Sequence, residues 1–377
     1  MKIALVHDYL KEYGGAERVL MTLHNIWPKA PIYTAFLDKG STAGKEFKKA
    51  EVIESFLAPL IKKKNLYSPL RFLAPIIWKS FDLSSFDVVI TSASWYITRG
   101  FRVSDKTRII CYCHTPPRYL YGFETSVEWQ RYWPVRVYAL IVNHFLRMFD
   151  FNSAQSVDYF IVNSKNVQKR VKKFYRRDST IIYPPVEVKE IIRQTKNSKS
   201  KDYFLIASRV VGAKGIEIAI EAAKKAKIPL KIIGEPAGLR FLTKNIKEME
   251  NEFVEFLGRV SDRDLYKAYG ECKAFLALAK DEDFGMTPVE AMAAGRPVIA
   301  FRGGGYLETV VDKKTGLFFD SLKPEALSRI LKEFDEKKYK PENCRDQAQK
   351  FSKERFVKEI GEFVKKNTQD NAGITRN

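Results

Sequence analysis

Short apolar runs alternate with helix-length amphipathic stretches from one end of this chain to the other, and this alternation constrains its fold most strongly. The runs are rich in Val, Ile and Phe; the candidate strands are residues 2–7, 31–35, 87–93, 108–114, 158–164, 179–184, 202–209, 229–235, 253–259, 273–279, 296–301 and 315–320. Near-continuous apolar strands separated by helices are typical of parallel sheets that are covered on both faces. The pattern therefore predicts an α/β chain with doubly wound, Rossmann-like sheets.

The length of 377 residues predicts two domains, since one domain usually takes about 150 residues. Pro184 and Pro185 interrupt the pattern, and a polar run at 193–202 precedes a fresh strand. We expect one domain over residues 1–185, a second over 186–350, and a C-terminal helix and tail over 351–377 for which a return to the first domain is considered. Doubly wound domains bind ligands at the carboxyl ends of their strands, so the expected site is a crevice between the domains.

The net charge of +20 indicates an anionic partner. The first 183 residues carry 28 basic and 15 acidic residues, or +13, which leaves 37 and 30, or +7, for the rest. Nucleic acid, acidic lipid headgroups and phosphorylated substrates all fit such an excess. The chain has no zinc spacing, RNP-type aromatic strand or basic repeat, so a basic nucleic-acid-binding protein is kept only as the non-enzyme alternative.

Four scattered cysteines are too few for a disulfide framework, and we expect reduced, buried thiols. The start of the chain does not resemble an export signal, and the longest charge-free runs are shorter than the 18 to 20 or so residues that a spanning helix needs. A cytoplasmic protein that does not cross a membrane is the expectation.

Two segments could bind phosphate groups. Gly14 and Gly15 follow the first strand and precede a helix, where backbone N–H groups can approach an anion; phosphate or sugar contact and an ordinary turn are both open. Arg209 ends a strand and Lys214 precedes a helix, which makes them a candidate diphosphate clamp, with a solvated pair as the alternative.

The stretch around two glutamates, eight positions apart, carries the strongest signal. Glu282 follows a strand, and Glu290 is placed in the first turn of an Ala-rich helix, where a carboxylate can accept bonds from a ribose diol or from sugar hydroxyls. N-terminal capping is the alternative for Glu290. The next turn, with three glycines at 303–305 before Glu308, predicts another phosphate-accommodating loop.

Together, these segments resemble the retaining, nucleotide-sugar-dependent glycosyltransferases of family 4, which have the GT-B fold. EDFGMTPVEAMAAGRPVIA resembles the two-glutamate motif of that family, SRVVGAKG its Arg and Lys pair, GGAERV its glycine loop and FLGRVSDRDL its nucleobase-side segment. The resemblance extends over nearly the whole chain. It implies two Rossmann-like domains that face each other across a crevice, with the acceptor on the N-terminal side and the nucleotide sugar on the C-terminal side.

The resemblance also assigns roles to residues. Arg209 and Lys214 would neutralise the donor diphosphate, Glu290 would hold the ribose, and Glu282 would contact the donor sugar. His114 matches an active-site histidine near the transferred sugar; a structural histidine is the alternative. The other donor-binding residues implied are Gly14, Gly15, Gly258, Arg259, Val260, Phe284, Gly285, Met286 and Thr287, those of 284–287 through backbone amides. Stabilising the leaving diphosphate is then the main task of the protein, because a departing phosphate oxygen can accept the proton of the acceptor hydroxyl.

The form HDYL with GGAERVL and CHTPPRYL looks most like bacterial transferases that build cell-surface polysaccharides. This implies transfer of a hexose, with mannose from GDP-mannose favoured, to a lipid-linked or polysaccharide acceptor. A transferase with a UDP-sugar donor and a non-hydrolysing sugar-nucleotide epimerase remain the enzymatic alternatives.

A basic segment in the first half favours an anionic membrane surface. It combines Lys62, Lys63, Lys64, Arg71 and Lys79 with Phe72, Ile76, Ile77 and Trp78, and Trp129, Arg131, Tyr132 and Trp133 could extend it. A buried helix with a solvated lysine edge is the alternative. On the first interpretation, the enzyme associates peripherally with the inner face of the cell membrane.

No cofactor or metal is expected. Asp281 and Asp283 flank Glu282, and Asp262 with Asp264 reads as the acidic first turn of a helix capped at Ser261 or Asp262. The cations already supply the positive charge that a divalent metal would bring to the diphosphate.

Overall fold

The computed structural model describes residues 1–63, 66–125, 132–236 and 249–369, and these form two compact units. The first unit contains the described residues of 1–123, 134–185 and 354–377, and the second contains those of 124–133 and 186–353.

The strands are β1 (Ile3–His7), β2 (Ile32–Thr34), β3 (Val52–Glu54), β4 (Val88–Ala93), β5 (Arg108–Cys113), β6 (Tyr159–Val162), β7 (Thr180–Ile181), β8 (Phe204–Ala207), β9 (Leu230–Ile233), β10 (Val254–Gly258), β11 (Ala274–Ala277), β12 (Val298–Phe301) and β13 (Gly316–Phe319).

The helices are α1 (Gly15–Ile26), α2 (Thr42–Glu46), α3 (Ala58–Ile61), α4 (Ala74–Ser80), α5 (Trp133–Gln155), α6 (Lys165–Tyr175), α7 (Val188–Thr195), α8 (Ile216–Ala226), α9 (Asp262–Glu271), α10 (Met286–Ala293), α11 (Tyr306–Thr309), α12 (Pro324–Glu333), α13 (Pro341–Gln349) and α14 (Lys353–Gln369).

The first unit is built on a seven-stranded parallel sheet in the order β3-β2-β1-β4-β5-β6-β7. All five residues of β1 are buried, because the sheet is covered on both faces: Ala4 and Val6 pack into one core, and Ile3 and Leu5 into the other. The chain order reverses between β1 and β4, and such a reversal opens a crevice at the carboxyl ends of the strands.

The last helix, α14, completes the second of these cores. Its residues Phe356, Ile360 and Val364 are at most 1% exposed and pack with Ile3 and Leu5. A segment from the far end of the chain thus forms part of the unit that contains the first strand.

The second unit is built on a six-stranded parallel sheet in the order β10-β9-β8-β11-β12-β13. Its core includes Phe204 of β8, Ile220 of α8 and Leu327 of α12. The reversal of chain order lies between β8 and β11. This is the edge at which Arg209, Lys214 and Glu282 follow their strands.

The predicted fold class is confirmed, and each predicted strand segment contains an observed strand. The pattern missed β3, which lies at the edge of its sheet and whose three residues are all partly exposed. The four cysteines are reduced and buried, as predicted. Among the described helices, none combines the length and the apolarity that crossing a bilayer requires.

Candidate active site

In the first unit, three adjacent strands present a row of hydrogen-bonded polar side chains at their carboxyl ends. His7 ends β1, Ser92 lies near the end of β4, and His114 follows β5. The Ser92 hydroxyl lies 3.0 Å from His7 Nδ1 and 2.8 Å from His114 Nε2. All three residues are at most 8% exposed, so the row lies in a largely water-free environment.

A carboxylate from α1 bonds the outer end of this row. His7 Nε2 lies 3.3 Å from Glu17 Oε1, and the backbone N–H of Gly14 donates to the other oxygen of Glu17. Burial would lower the pKa of His7, but the bond to Glu17 and the nearby charges of Glu17 and Asp8 outweigh it, so the pKa is raised. Burial would raise the pKa of Glu17, yet the bond to His7 lowers it. The two groups therefore form a buried ion pair.

Asp8, the next residue after β1, fixes the loop that follows β4. Its buried carboxylate accepts bonds from the backbone N–H groups of Ser94 and Trp95 and from the hydroxyls of Ser94 and Thr98. His114 is held through its backbone, since its N–H donates to the carbonyl of Ala93. The place where the chain order reverses, between β1 and β4, is thus held by several buried hydrogen bonds.

In the second unit, the predicted phosphate-binding cation and the predicted sugar-binding carboxylate are in contact. Lys214 Nζ donates to Glu282 Oε2 at 2.5 Å, and the Tyr306 hydroxyl donates to the same oxygen at 3.3 Å. Both charged side chains are partly exposed, so the pair is open to a ligand. The charges of Lys214 and Glu282 therefore neutralise each other.

Glycines allow the loop of Glu282 to lie against the following loop. A Cβ on Gly304 would lie 2.7 Å from the Glu282 nitrogen, and one on Gly305 would lie 2.7 Å from the Asp283 carbonyl oxygen. The N–H of Gly305 donates to the Glu282 carbonyl. Close backbone packing thus explains why these positions are glycine, and the phosphate-accommodating role of this loop stays a prediction.

Two helices begin at the switch edge of this sheet. The first, α8, has Gly215 as its N-cap, and α10 has Gly285; both glycines have positive φ. Within the part of the chain that the structure describes, no side chain caps either helix. A Cβ on Gly215 would meet that of Leu278 at 2.7 Å, which places the Lys214 turn against the segment that follows β11. The amides of the first turns provide positive potential at this edge.

Glu290 lies deeper than the sequence suggested. It is the fifth residue of α10, in the second turn, so both the expected first-turn position and the capping alternative are wrong. Its side chain is 3% exposed, and one oxygen accepts a 2.7 Å bond from the Tyr269 hydroxyl of α9. Its role toward a ribose remains a prediction.

The remaining predicted donor-binding residues lie at or near the same edge. Arg209 is exposed just after β8, and Gly258 ends β10 with a positive φ and no atom near the position of a Cβ. Arg259 is exposed and pairs with Glu235 at 3.8 Å, and Val260 is partly exposed. Gly258, Arg259 and Val260 thus lie at the end of β10, an edge strand that β9 separates from β8.

The turn predicted at 284–287 is shorter than expected, because α10 already begins at Met286. The Phe284 side chain is buried against Phe351, while Met286 and Thr287 are partly exposed. The side chain of Phe284 is therefore not available to a ligand. In the first unit, Gly15 begins α1 and is exposed, but the N–H of Gly14 is already bonded to Glu17.

One of the two acidic pairs, Asp262 with Asp264, has the structural explanation predicted for it. Ser261 caps α9, because its hydroxyl accepts from the N–H of Asp264, and Asp262 and Asp264 lie in the first turn. Over the described ranges, no group of three or more His, Cys, Asp or Glu side chains is arranged to hold a metal ion.

The sequence analysis did not identify His7, Asp8, Ser92 or Glu17 as site residues. The available signal was a His-Asp pair directly after the first strand of a doubly wound sheet, where the switch point is expected. Ser92 lies inside an apolar strand, and only the strand order reveals that it lies between two histidines.

Comparison with known proteins identifies the family. The family model for Glycosyltransferase Family 4 matches residues 13–190, and the model for Glycosyl transferases group 1 matches residues 187–351. With both units matched in this order, the chain belongs to the family 4 glycosyltransferases, and its two parallel-sheet units have the GT-B fold.

Characterised and uncharacterised relatives agree with this. The chain is 22% identical to the alpha-1,3/1,6-mannosyltransferase ALG2 of Dictyostelium discoideum, over 78% of this chain and 79% of the relative. It is 26% identical to ALG2 of Candida glabrata, over 82% and 78%. It is also 28% identical to an uncharacterized glycosyltransferase of Methanocaldococcus jannaschii, over 53% of this chain and 57% of that protein.

Solved structures share the fold. Anabaena HepE, crystallised with UDP and glucose, superposes with a TM-score of 0.68 at 18% identity, covering 97% of this chain and 99% of that one.

Proposed function

We propose that this glycosyltransferase moves a mannosyl residue from GDP-mannose to a lipid-linked or polysaccharide acceptor, with retention of anomeric configuration. The similarity to two alpha-1,3/1,6-mannosyltransferases, each over about four fifths of this chain, supports the choice of sugar. The Lys214–Glu282 contact at the switch edge of the second sheet supports the choice of site.

In this proposal, the donor breaks the Lys214–Glu282 pair. The diphosphate is the stronger anion and attracts Lys214, Arg209 and the first-turn amides of α8 and α10. Glu282 then accepts bonds from hydroxyls of the sugar, while Tyr306 still donates to it. Binding thus replaces one charged contact with two, and the positive charge stabilises the leaving diphosphate as negative charge develops on it.

His114 is proposed to contact the transferred sugar, and Glu290 the ribose. The row of bonds through Ser92 fixes the ring plane of His114, and the Tyr269 hydroxyl fixes the carboxylate of Glu290. Both side chains are therefore preorganised, which reduces the entropy lost on binding.

We further propose that the enzyme works while bound peripherally to an anionic membrane surface, where a lipid-linked acceptor would lie. Lys62 and Lys63 are exposed, and so are Phe72 and Ile76, which supports this use of the basic segment. Ile77 and Trp78 do not belong to it: both are fully buried in the core, and the Trp78 indole donates to the Tyr96 carbonyl. Tyr132 and Trp133 are exposed, while Lys64, Trp129 and Arg131 lie outside the described residues.

The donor assignment is tested by calorimetry with GDP, GDP-mannose and the corresponding UDP compounds. Glu290→Ala should weaken the binding of GDP and GDP-mannose alike by about 1.5 to 3 kcal/mol, because the ribose loses a charged acceptor. Glu282→Ala should reduce turnover strongly and GDP affinity little, since GDP has no sugar. Glu325→Ala, which removes an exposed carboxylate of α12, is the matched control and should change neither.

The outcomes separate the alternatives. Unchanged nucleotide affinity in a folded Glu290→Ala variant would contradict the ribose role. Preference for UDP compounds would replace the donor but leave the site intact. Isomerisation of the donor without acceptor, and without release of nucleotide diphosphate, would identify an epimerase instead.

We also propose that turnover needs no divalent metal. Full activity in excess EDTA is expected, and Arg209→Ala and Lys214→Ala should each lower turnover by about 10²- to 10³-fold, in the range seen when one charge-stabilising group is removed. Asp281→Asn and Asp283→Asn should have little effect. Loss of activity in EDTA that manganese restores, together with loss in either Asn variant, would contradict the proposal.

A further inference from the structure

One helix of the first unit exposes a largely apolar face to solvent, with a single histidine, His144, within it. Five large side chains of α5 are between 49% and 72% exposed: Val137, Leu140, Ile141, Phe145 and Met148. Their spacing of three, four, eight and eleven positions after Val137 places them on one side of a helix. These five residues are called the α5 apolar face below.

The opposite side of α5 is firmly packed, so the exposed face is not the face that docks on its own unit. Leu146 packs against Ile97 and Leu120, and Asp150 forms a buried ion pair with Arg99. The side chain of Asn143 donates to the Tyr119 carbonyl and accepts from Arg71. An amphipathic helix usually hides its apolar stripe, but α5 also carries large apolar side chains on its exposed side.

The charges around the face are positive. Residues 133–149 contain no Asp or Glu, and they contain Arg136 and Arg147. Residues 55–81 also contain no Asp or Glu, and this second segment touches α5: the Arg71 guanidinium lies over the Tyr138 ring, and the Tyr138 hydroxyl donates to the Pro69 carbonyl.

We propose that the α5 apolar face inserts into the headgroup and acyl boundary of an anionic lipid leaflet, with α5 lying in the plane of the membrane. The five side chains supply the apolar area, and Arg136 and Arg147 supply positive charge beside it, although Arg147 also donates to the Leu120 carbonyl. This deepens the membrane association proposed above, since it assigns the insertion to α5 and leaves Lys62 and Lys63 an electrostatic role. It does not depend on which sugar is transferred.

A second copy of the chain is a poorer occupant of this face. In a twofold interface, the same surface meets itself, so the cations along α5 would face cations. Anionic lipid headgroups provide the complementary charge instead. Within α5, Arg136, Asn143, Arg147 and Asp150 interrupt the apolar sequence, which suits a helix on the membrane surface.

Site-specific labelling tests insertion directly. All four native thiols are buried, so a fluorophore such as NBD attached to Leu140→Cys would label that position selectively. On adding vesicles of phosphatidylglycerol and phosphatidylcholine, we expect a blue shift and a rise in emission, and quenching by brominated lipid. The same label on Val357→Cys, an exposed apolar position of α14, is the control and should not respond.

Vesicle binding by sedimentation tests the energetics. Leu140→Ser with Phe145→Ser should lower the partition coefficient at least about tenfold, because two inserted side chains lose apolar burial. Leu307→Ser with Val357→Ser removes exposed apolar side chains elsewhere and should leave it within about twofold. Circular dichroism confirms that each variant is folded.

The contrary outcomes are distinct. If the α5 double variant binds normally while Lys62→Glu with Lys63→Glu does not, adsorption is purely electrostatic and the α5 proposal is wrong. If wild type does not bind anionic vesicles, both membrane proposals are wrong. A blue-shifted Leu140→Cys label without vesicles, in a protein that sediments as a dimer, would assign the face to a second copy.

Discussion

The buried His7–Glu17 pair sets the direction of proton donation along the first strand ends. A charged imidazole donates from both nitrogens, so His7 donates to Glu17 and to the Ser92 hydroxyl. The Ser92 hydroxyl, which accepts from His7, is then left to donate its proton to His114 Nε2, 2.8 Å away.

We predict that this pair stabilises the first unit only within a window of pH. The raised pKa of His7 means that its contribution is complete below the ordinary histidine value of 6.5 and is lost as the pH rises through the raised value. The lowered pKa of Glu17 means that its contribution is complete above 4.5 and is lost as the pH falls through the lowered value. Glu17→Gln should therefore cost about 2 kcal/mol of unfolding free energy between those limits.

Urea unfolding at several pH values measures this cost. Trp27, Trp78 and Trp95 lie in the first unit, residues 186–353 contain no tryptophan, and the two others belong to the stretch 124–133 of the second unit. Tryptophan fluorescence therefore reports on the first unit once Trp129 and Trp133 are replaced by phenylalanine. Glu46→Gln, an exposed carboxylate of α2, is the control and should cost less than about 0.5 kcal/mol at every pH. A cost for Glu17→Gln that does not vary with pH would mean that the pair is not ionised.

Among structural elements, the loop before α11 shows how a glycine positions the carboxylate of Glu282. Gly304 and Gly258 have nearly the same positive φ, +53° and +61°. A Cβ on Gly304 would collide with the backbone of Glu282, whereas one on Gly258 would have open space. Both substitutions to alanine incur the backbone cost of positive φ, but only one moves a neighbour.

We predict that Gly258→Ala lowers the unfolding free energy by about 1 kcal/mol, and Gly304→Ala by about 2 kcal/mol or more. Far-UV circular dichroism during thermal unfolding compares them. Gly304→Ala should also reduce sugar transfer, because it displaces Glu282. Equal stabilities for the two variants would show that the loop yields without strain.

Element by element, the sequence predicted what depends on local pattern. The candidate strands were correct because each is a short apolar run; most of them are buried on both faces, while the edge strands β7 and β10 are partly exposed. Strand β3 was missed since Val52, Ile53 and Glu54 form a half-exposed edge with no such run. In α4, the pattern could not tell that Trp78 turns inward while Ile76 turns outward.

For the site residues, too, the sequence predicted what depends on local pattern and missed what depends on tertiary contacts. Lys214 and Glu282 were predicted from two local motifs, SRVVGAKG and the two-glutamate stretch, and the structure brings their side chains into contact. The His7–Ser92–His114 row was not predictable, because it joins strands that are adjacent only after folding. The α5 apolar face was equally hidden: Leu140 and Leu146 are the same residue type in one helix, and only packing distinguishes the exposed one from the buried one.

At the scale of the whole molecule, the return of α14 to the first unit is a stability determinant far from the site. We predict that Phe356→Ala lowers the unfolding free energy of the first unit by about 3 to 5 kcal/mol, because a fully buried ring leaves a cavity beside Ile3 and Leu5. Val357→Ala, at the neighbouring exposed position, should change it by less than about 0.5 kcal/mol.

Two signals followed in urea distinguish the units. Tryptophan fluorescence, again with Trp129 and Trp133 replaced, reports on the first unit, and circular dichroism reports on both. The fluorescence transition of Phe356→Ala should move to lower urea, while the part of the dichroism change that comes from residues 186–353 should not. A common shift of both signals would mean that the two units unfold as one.

The late position of α14 also sets the order in which the protein can fold as it is made. Residue 356 follows residue 3 by 353 positions, so a ribosome adding about 5 to 20 residues per second needs roughly 20 to 70 s to supply it. Throughout that time, the core around Ile3 and Leu5 has the cover that α1 supplies but lacks the part that α14 supplies, although most of the unit has emerged. The second unit has its whole sequence before Phe356 is synthesised. The domain translated second can therefore finish folding first, and part of the core of the first domain stays open until the last helix arrives.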